Sequence, residues 1–311
     1  MSKVAFLFPG QGAQVVGMGK EIYETYDIAR EFFDSACKLV DFNMKSLCFD
    51  GPIEELSQTE YTQACMVAIE LMIFKVLESH GIAPDICAGL SLGEYSALSV
   101  AGALEADEAV KLVRHRGQIM SKALPIGTST MAAVLGMEAV DLEVVCQEAS
   151  VAGVVEIANY NCPGQLVIGG EIEAVKKATE LAIQKGARKV TALNVSGAFH
   201  TSLLKEAGIE LRSELEKIDF KDLKIPVIFN KTAKFQDAPI IDLMVAQVSS
   251  SVRFEETIRL MMKEGVETFV EIGPGKILSG FVKKVDRKMN IYQVGDVAGI
   301  HTLIEKLGGN V

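Results

Sequence analysis

Short apolar runs that stop at glycine or proline alternate along this chain with stretches of helical periodicity. Val4–Phe8 ends at Pro9-Gly10, Ile86–Ala88 follows Pro84 and ends at Gly89, and Thr268–Ile272 ends at Gly273-Pro274. Strands that alternate with helices in this way indicate a largely parallel α/β sheet. The middle of the chain reads differently, with strands expected at Met131–Gly136, Val154–Asn159, Leu166–Gly169 and Lys189–Val195. Helices at Val140–Ala149 and Ile172–Lys185 separate them, and the turn Asn161-Cys162-Pro163-Gly164 joins the second strand to the third. The order βαββαβ is the ferredoxin-like unit. The reading is an α/β protein in which a large, mostly parallel-sheet domain (1–126 and 196–311) carries an inserted ferredoxin-like subdomain (127–195). The cleft between them is the expected binding site. No internal repeat or low-complexity linker interrupts the pattern.

Composition narrows the class. The 311 residues are 49% hydrophobic and 23% charged, enough chain for about two domains of ordinary size. Against 31 Lys and Arg stand 41 Asp and Glu, a net charge of −10 that repels phosphate backbones, so nucleic acid is not an expected partner. The apolar stretch Ala64–Phe74 is broken by Glu70 and falls short of the roughly 20 residues of a membrane span, so no membrane association is expected. Val4–Phe8 is also too short for the apolar part of a secretory signal. Six cysteines without a Cys-x-x-Cys pair or a histidine at ligand spacing read as reduced, buried thiols, with no metal, in a cytoplasmic protein.

Gly89-Leu90-Ser91-Leu92-Gly93 fits the G-x-S-x-G nucleophile elbow, in which a sharp strand-to-helix turn pushes a serine hydroxyl out of the sheet. The context suits it: a strand is expected just before, and Glu94–Ala101 has helical character. The helix amino terminus beneath Ser91 offers free N–H groups to a developing oxyanion. The loop Pro9-Gly10-Gln11-Gly12-Ala13-Gln14 does not fit a dinucleotide fingerprint, because Val15 stands where the third glycine belongs. A glycine-rich turn after the first strand can instead present a second oxyanion donor, with Gln11 as the candidate.

Four histidines are available as a base. His80 and His301 have ordinary structural readings near a helix end and the tail, and His115 lies between two arginines. His200 follows the point where the inserted subdomain returns the chain, which places it at the cleft. On the helix from about Ala106 to Met120, Leu112, Val113, Ile119 and Met120 share a face with Arg116. A guanidinium on an apolar face needs an anion, either an internal carboxylate or a carboxylate of the substrate.

These residues, in one order along one chain, resemble the malonyl-CoA:acyl carrier protein transacylase family, the acyltransferases of fatty-acid synthesis. The resemblance rests on Pro9-Gly10-Gln11-Gly12-Ala13-Gln14, Gly89-Leu90-Ser91-Leu92-Gly93-Glu94-Tyr95-Ser96, Arg116-Gly117 with Met120, and Ala198-Phe199-His200. Met131–Gly136, Asn161 with Pro163-Gly164-Gln165, Gln247 with Val252-Arg253-Phe254, and Glu271–Lys276 extend it over nearly the whole chain. It implies a hydrolase-like α/β domain with Ser91 as the acylated nucleophile and His200 as its acid/base partner. The N–H groups of Gln11 and Leu92 would form the oxyanion hole, Arg116 would grip a malonyl carboxylate, and the Gln247 main-chain carbonyl would orient the histidine. Phe199 is similar to the residue of malonyl-selective members. Leu90 departs from the pattern, since the family usually has histidine there.

The resemblance further implies malonyl-CoA and acyl carrier protein as partners, a monomer, and no cofactor beyond the coenzyme A thioester and the carrier's own phosphopantetheine. Two basic clusters, Lys185-Arg188-Lys189 and Lys283-Lys284-Arg287-Lys288, are candidate docking patches for an acidic carrier. Three other readings compete. A serine thioesterase shares the elbow and histidine and permits an acid between Ser91 and His200. A trans-acting polyketide acyltransferase differs in its carrier, and a non-catalytic binding module would have an unreactive Ser91.

Overall fold

Both faces of the first strand are covered, and for that reason Val4–Phe8 has no polar position. Ala5 and Leu7 point into one core and Phe6 and Phe8 into another, as alternation along a strand requires. The computed structural model describes residues 3–125, 127–193, 195 and 197–308. Among them are nine strands: β1 (Lys3–Phe8), β2 (Ile86–Gly89), β3 (Ser129–Leu135), β4 (Val155–Cys162), β5 (Gln165–Glu171), β6 (Lys189–Ala192), β7 (Val252–Arg253), β8 (Val266–Ile272) and β9 (Asn290–Val294). The expected domain boundaries at Ile126 and Ser196, and Asn194 in the expected last strand of the insert, lie outside the described residues.

One sheet has the order β2-β1-β8-β9 with every pair parallel. On one face lie the helices Thr59–Ser79, Gly93–Val100 and Ala106–Ala123, and on the other Phe254–Lys263 and Ile277–Val285. The helix Thr59–Ser79 is buried nearly all round, which explains its apolar run. Glu70 within it accepts a hydrogen bond from Ser96 Oγ at 2.5 Å. No helix among the described residues is long and apolar enough to cross a membrane.

The second sheet has the order β6-β3-β5-β4-β7. Its first four strands are antiparallel neighbours in the ferredoxin-like arrangement, with the helices Ala139–Ala149 and Ile172–Gln184 against one face. Three details differ from the pattern-based reading. β4 runs on through Asn161 and Cys162, because Cys162 pairs with Gln165 across a two-residue turn, Pro163-Gly164, with Gly164 at φ +69°. β6 ends at Ala192, the last residue paired with β3. β7, far along the chain, adds a fifth strand parallel to β4.

A bulge decides what this sheet offers to the cleft. The β4–β5 register shifts between Ile157 and Asn159. Ile157 joins the sheet's own core, Ala158 and Asn159 turn the other way, Tyr160 turns back, and Asn161 again faces the cleft. Met131, Ala133 and Val167 join the two asparagines on that face.

Candidate active site

The turn between β2 and the helix Gly93–Val100 is too tight for side chains at its two glycines. A Cβ on Gly89 would fall 1.9 Å from the Gly93 carbonyl carbon, and one on Gly93 would fall 2.1 Å from the Phe8 carbonyl oxygen. The elbow thus packs directly against the end of β1, where Leu90 N donates to Phe8 O at 2.9 Å. Between the glycines Ser91 takes φ +57°, a left-handed conformation that side-chain-bearing residues seldom adopt.

His200 also lies in the left-handed region, at φ +60°, and is 4% exposed. Its Nε2 stands 2.7 Å from Ser91 Oγ and its Nδ1 2.9 Å from the main-chain oxygen of Gln247. A carbonyl can only accept, so Nδ1 carries the hydrogen and Nε2 turns its lone pair toward the serine hydroxyl. Burial and the positive charge of Arg116 push the imidazole down to about 4, so it is neutral at physiological pH and able to take a proton. Among the described residues no carboxylate occupies the place beyond the histidine; the partner there is the carbonyl of a residue that follows His200 in the chain.

Arg116 is the largest fully buried side chain, at 1% exposure. Its Nη1 donates to Gln63 Oε1 at 2.7 Å, and Nη2 donates to Gln247 Oε1 at 2.9 Å and to Ser91 Oγ at 3.2 Å. The guanidinium also lies over the Tyr95 ring, 5.4 Å from its centroid. All its hydrogen-bond partners among the described residues are neutral oxygens, and its Nε, buried, has none. Burial accordingly pulls its pKa below the ordinary arginine value. Arg114, two positions away, instead forms a two-point pair with Asp41 and lies over the contacting rings of Phe42 and Tyr61.

Ser91 opens onto a cleft of about 470 Å³ lined from both sheets. Gln11, Leu92, Gln63, Met120 and Phe199 line it on one side and Asn159, Asn161 and Val167 on the other, with Ile277 and Phe281 at a further wall. Leu92 caps the helix Gly93–Val100 with helical backbone, a position whose N–H no carbonyl of that helix can use. Gln11 is held through its side chain, whose Nε2 donates to Thr59 Oγ1 at 3.0 Å. Leu90 also lines the cleft, so the departure from histidine adds an apolar surface.

The structure thus joins Ser91, His200, Arg116 and Gln247 in one hydrogen-bonded cluster and brings Gln11 and Leu92 to the same cleft. Sequence reasoning missed Gln63, which holds Arg116, and Asn230, whose Oδ1 accepts the Ser91 N–H at 2.7 Å. A buried glutamine at the start of an apolar helix was the only signal for the first. The second ends the short β-like run Val227-Ile228-Phe229, and nothing local marks its role. Of the remaining histidines, His80 caps the C-terminus of the helix Thr59–Ser79, and His115 lies 3.3 Å from Glu214. All six cysteines are free, and all but Cys37 are buried. Of the basic clusters, Lys185 is paired with Glu148, whereas Lys284 Nζ donates to Gln165 Oε1, itself a cleft residue, at 2.8 Å.

Comparison with known proteins agrees with this geometry. Residues 5–301 match the acyl transferase domain family. The malonyl CoA-acyl carrier protein transacylase of Bacillus subtilis (strain 168) is 46% identical over 310 residues, covering 99% of this chain and 98% of that protein. A solved structure of the malonyl CoA-acyl carrier protein transacylase from Clostridium perfringens superposes with a TM-score of 0.95 at 40% identity, covering 99% of this chain and 98% of the other. A malonyl-transacylase solved in complex with a type II PKS acyl-carrier protein superposes with a TM-score of 0.95 at 35% identity, covering 98% of this chain and all of the other.

Proposed function

Because this chain belongs to the acyl transferase domain family, we propose that it moves a malonyl group from malonyl-CoA to the phosphopantetheine thiol of an acyl carrier protein, supplying fatty-acid synthesis. The observation that carries the reading is a single oxygen. Ser91 Oγ lies between a neutral imidazole at 2.7 Å and a buried guanidinium at 3.2 Å whose partners are all neutral.

His200 Nε2 takes the hydroxyl proton as Ser91 Oγ attacks the thioester carbon. The N–H groups of Gln11 and Leu92 hold the oxyanion, each contributing about 3 kcal/mol. The C–S bond then breaks, and the coenzyme A thiolate leaves with the proton from His200. In the second half-reaction the carrier thiol gives its proton to His200, its sulfur bonds to the malonyl carbon, and Ser91 Oγ departs and is reprotonated. The scheme is ping-pong. A thiolate leaves readily, with a thiol pKa near 8.5, so a carbonyl partner on the histidine suffices where amide cleavage needs a carboxylate.

The far carboxylate of the donor meets Arg116, whose charge the amides of Gln63 and Gln247 solvate without neutralising. An acetyl donor leaves it in that state. Intact mass after mixing separately with malonyl-CoA, acetyl-CoA and methylmalonyl-CoA tests nucleophile and donor together. A malonyl adduct that is lost in Ser91→Ala is expected; free malonate without an adduct or carrier product would instead indicate a hydrolase.

A further inference from the structure

Beyond the edge strand β2, residues 226–230 run alongside it as a rudimentary extension of the large sheet. Cys87 N donates to Pro226 O at 2.9 Å, and Ile228 N donates to Cys87 O at 3.1 Å. The extension ends at Asn230, 1% exposed, directly behind the elbow. Every polar group of this residue is engaged. Its Oδ1 accepts the Ser91 N–H at 2.7 Å, its Nδ2 donates to Gly89 O at 2.6 Å, its N–H donates to Glu94 Oε2 at 2.9 Å, and its carbonyl accepts the Arg253 N–H at 2.9 Å.

We propose that Asn230 is a positioning residue for the acyl transfer described above, one that commits the Ser91 N–H to the protein interior and so holds the nucleophile in its left-handed turn. The inference rests on that functional reading only for its substrate. Two side-chain amides take both backbone groups of Ser91: Asn230 holds the N–H, and Gln247 Nε2 donates to the carbonyl at 2.8 Å. The same Gln247 holds His200 through its main chain, so the conformation of Ser91 and the aim of the imidazole are set by one frame. A left-handed φ at a residue with a side chain persists only where its surroundings over-determine it. Because Asn230 Oδ1 already takes the Ser91 N–H, that group is not free for the reacting carbonyl, which leaves the next amide, that of Leu92, for the oxyanion.

The test uses the whole chain and two variants. In Asn230→Ala the Ser91 N–H and the Gly89 carbonyl lose their partner, and kcat for malonyl transfer falls about tenfold or more while KM for malonyl-CoA stays within about twofold. Labelling of Ser91 by a fluorophosphonate, which needs the dyad but no acyl donor, slows by the same factor. In Asn230→Asp a neutral carboxyl reproduces the acceptor and donor of the amide, whereas an ionised one sets an oxygen against the Gly89 carbonyl and a charge into a buried site beside Glu94, whose own carboxyl is pushed up to about 8 by burial. The rate of that variant relative to the parent therefore climbs as pH falls, while the ratio for Asn230→Ala stays flat.

A kcat and a labelling rate for Asn230→Ala within about twofold of the parent, or a loss confined to KM, overturns the assignment. So does a pH-independent ratio for Asn230→Asp, which decides alone if the alanine variant does not fold. Slowed labelling in the variants of a parent that forms no malonyl adduct would retire the substrate and keep the positioning role.

Discussion

The main-chain oxygen of Gln247 lies 2.9 Å from Nδ1 of His200, and the same residue's side chain spans Arg116 and the Ser91 carbonyl. One glutamine therefore sets the tautomer of the base, steadies the cation and ties down the nucleophile's peptide. The cation in turn lowers the basicity of the imidazole beside it, a coupling that pH can read.

His200 takes a proton at about pH 4 in the resting protein, and only the neutral form can activate Ser91. The rate of fluorophosphonate labelling should thus hold as pH falls below the ordinary imidazole value of 6.5 and drop only near 4. Arg116→Ala removes a charge that opposes protonation, so its acid limb should move upward, toward 6.5. An acid limb that stays in place in the variant would show that Arg116 does not act on the base.

Donor choice should depend on the same arginine. With acetyl-CoA and malonyl-CoA in competition, Arg116→Ala should lose about 10²-fold or more of the preference for malonyl, the scale expected when a site built around a polar group loses it. Loss of malonyl transfer without any change in that ratio would assign Arg116 to the nucleophile alone.

The tightness of the elbow makes a stability prediction. Gly93→Ala drives a Cβ against the Phe8 carbonyl, backbone against backbone, with no flexible side chain to yield. Unfolding in denaturant should show a loss of about 3 kcal/mol or more, in the range of the most damaging single substitutions. A midpoint equal to the parent's would mean that the turn and β1 can move apart.

Carrier recognition should separate from donor recognition at the helix Ile277–Val285. Its Ile277 and Phe281 line the cleft, its exposed Lys284 reaches the cleft residue Gln165, and Lys283, Arg287 and Lys288 are exposed close by in the chain. Reversing charge with Lys284→Glu and Arg287→Glu together should raise KM for an acidic carrier about tenfold while leaving acylation by malonyl-CoA unchanged. Equal transfer kinetics in the double variant would move the docking face elsewhere.

The parts of the site legible in the sequence are those fixed by local rules. Ser91 is announced by glycines whose absence of Cβ the turn requires, and Arg116 by its spacing among Leu112, Val113, Ile119 and Met120 on one helix. Gln63 and Asn230 follow no such rule, since each acts on a residue far away in the chain and looks like an ordinary amide where it stands. The fold shows the same division. β1 and the βαββαβ order follow from periodicity, whereas β7 needs a partner, β4, more than ninety residues earlier, a distance set by Tyr160 and Arg253. The bulge at Asn159 inverts the facing of residues that simple alternation would have assigned to the interior.

β7 begins five residues after Gln247, and it is spliced to β4 at one side and to Asn230 at the other. The short link from Gln247 to β7 joins the histidine's support to the smaller sheet, so the base and one wall of the groove hang from a single stretch of backbone.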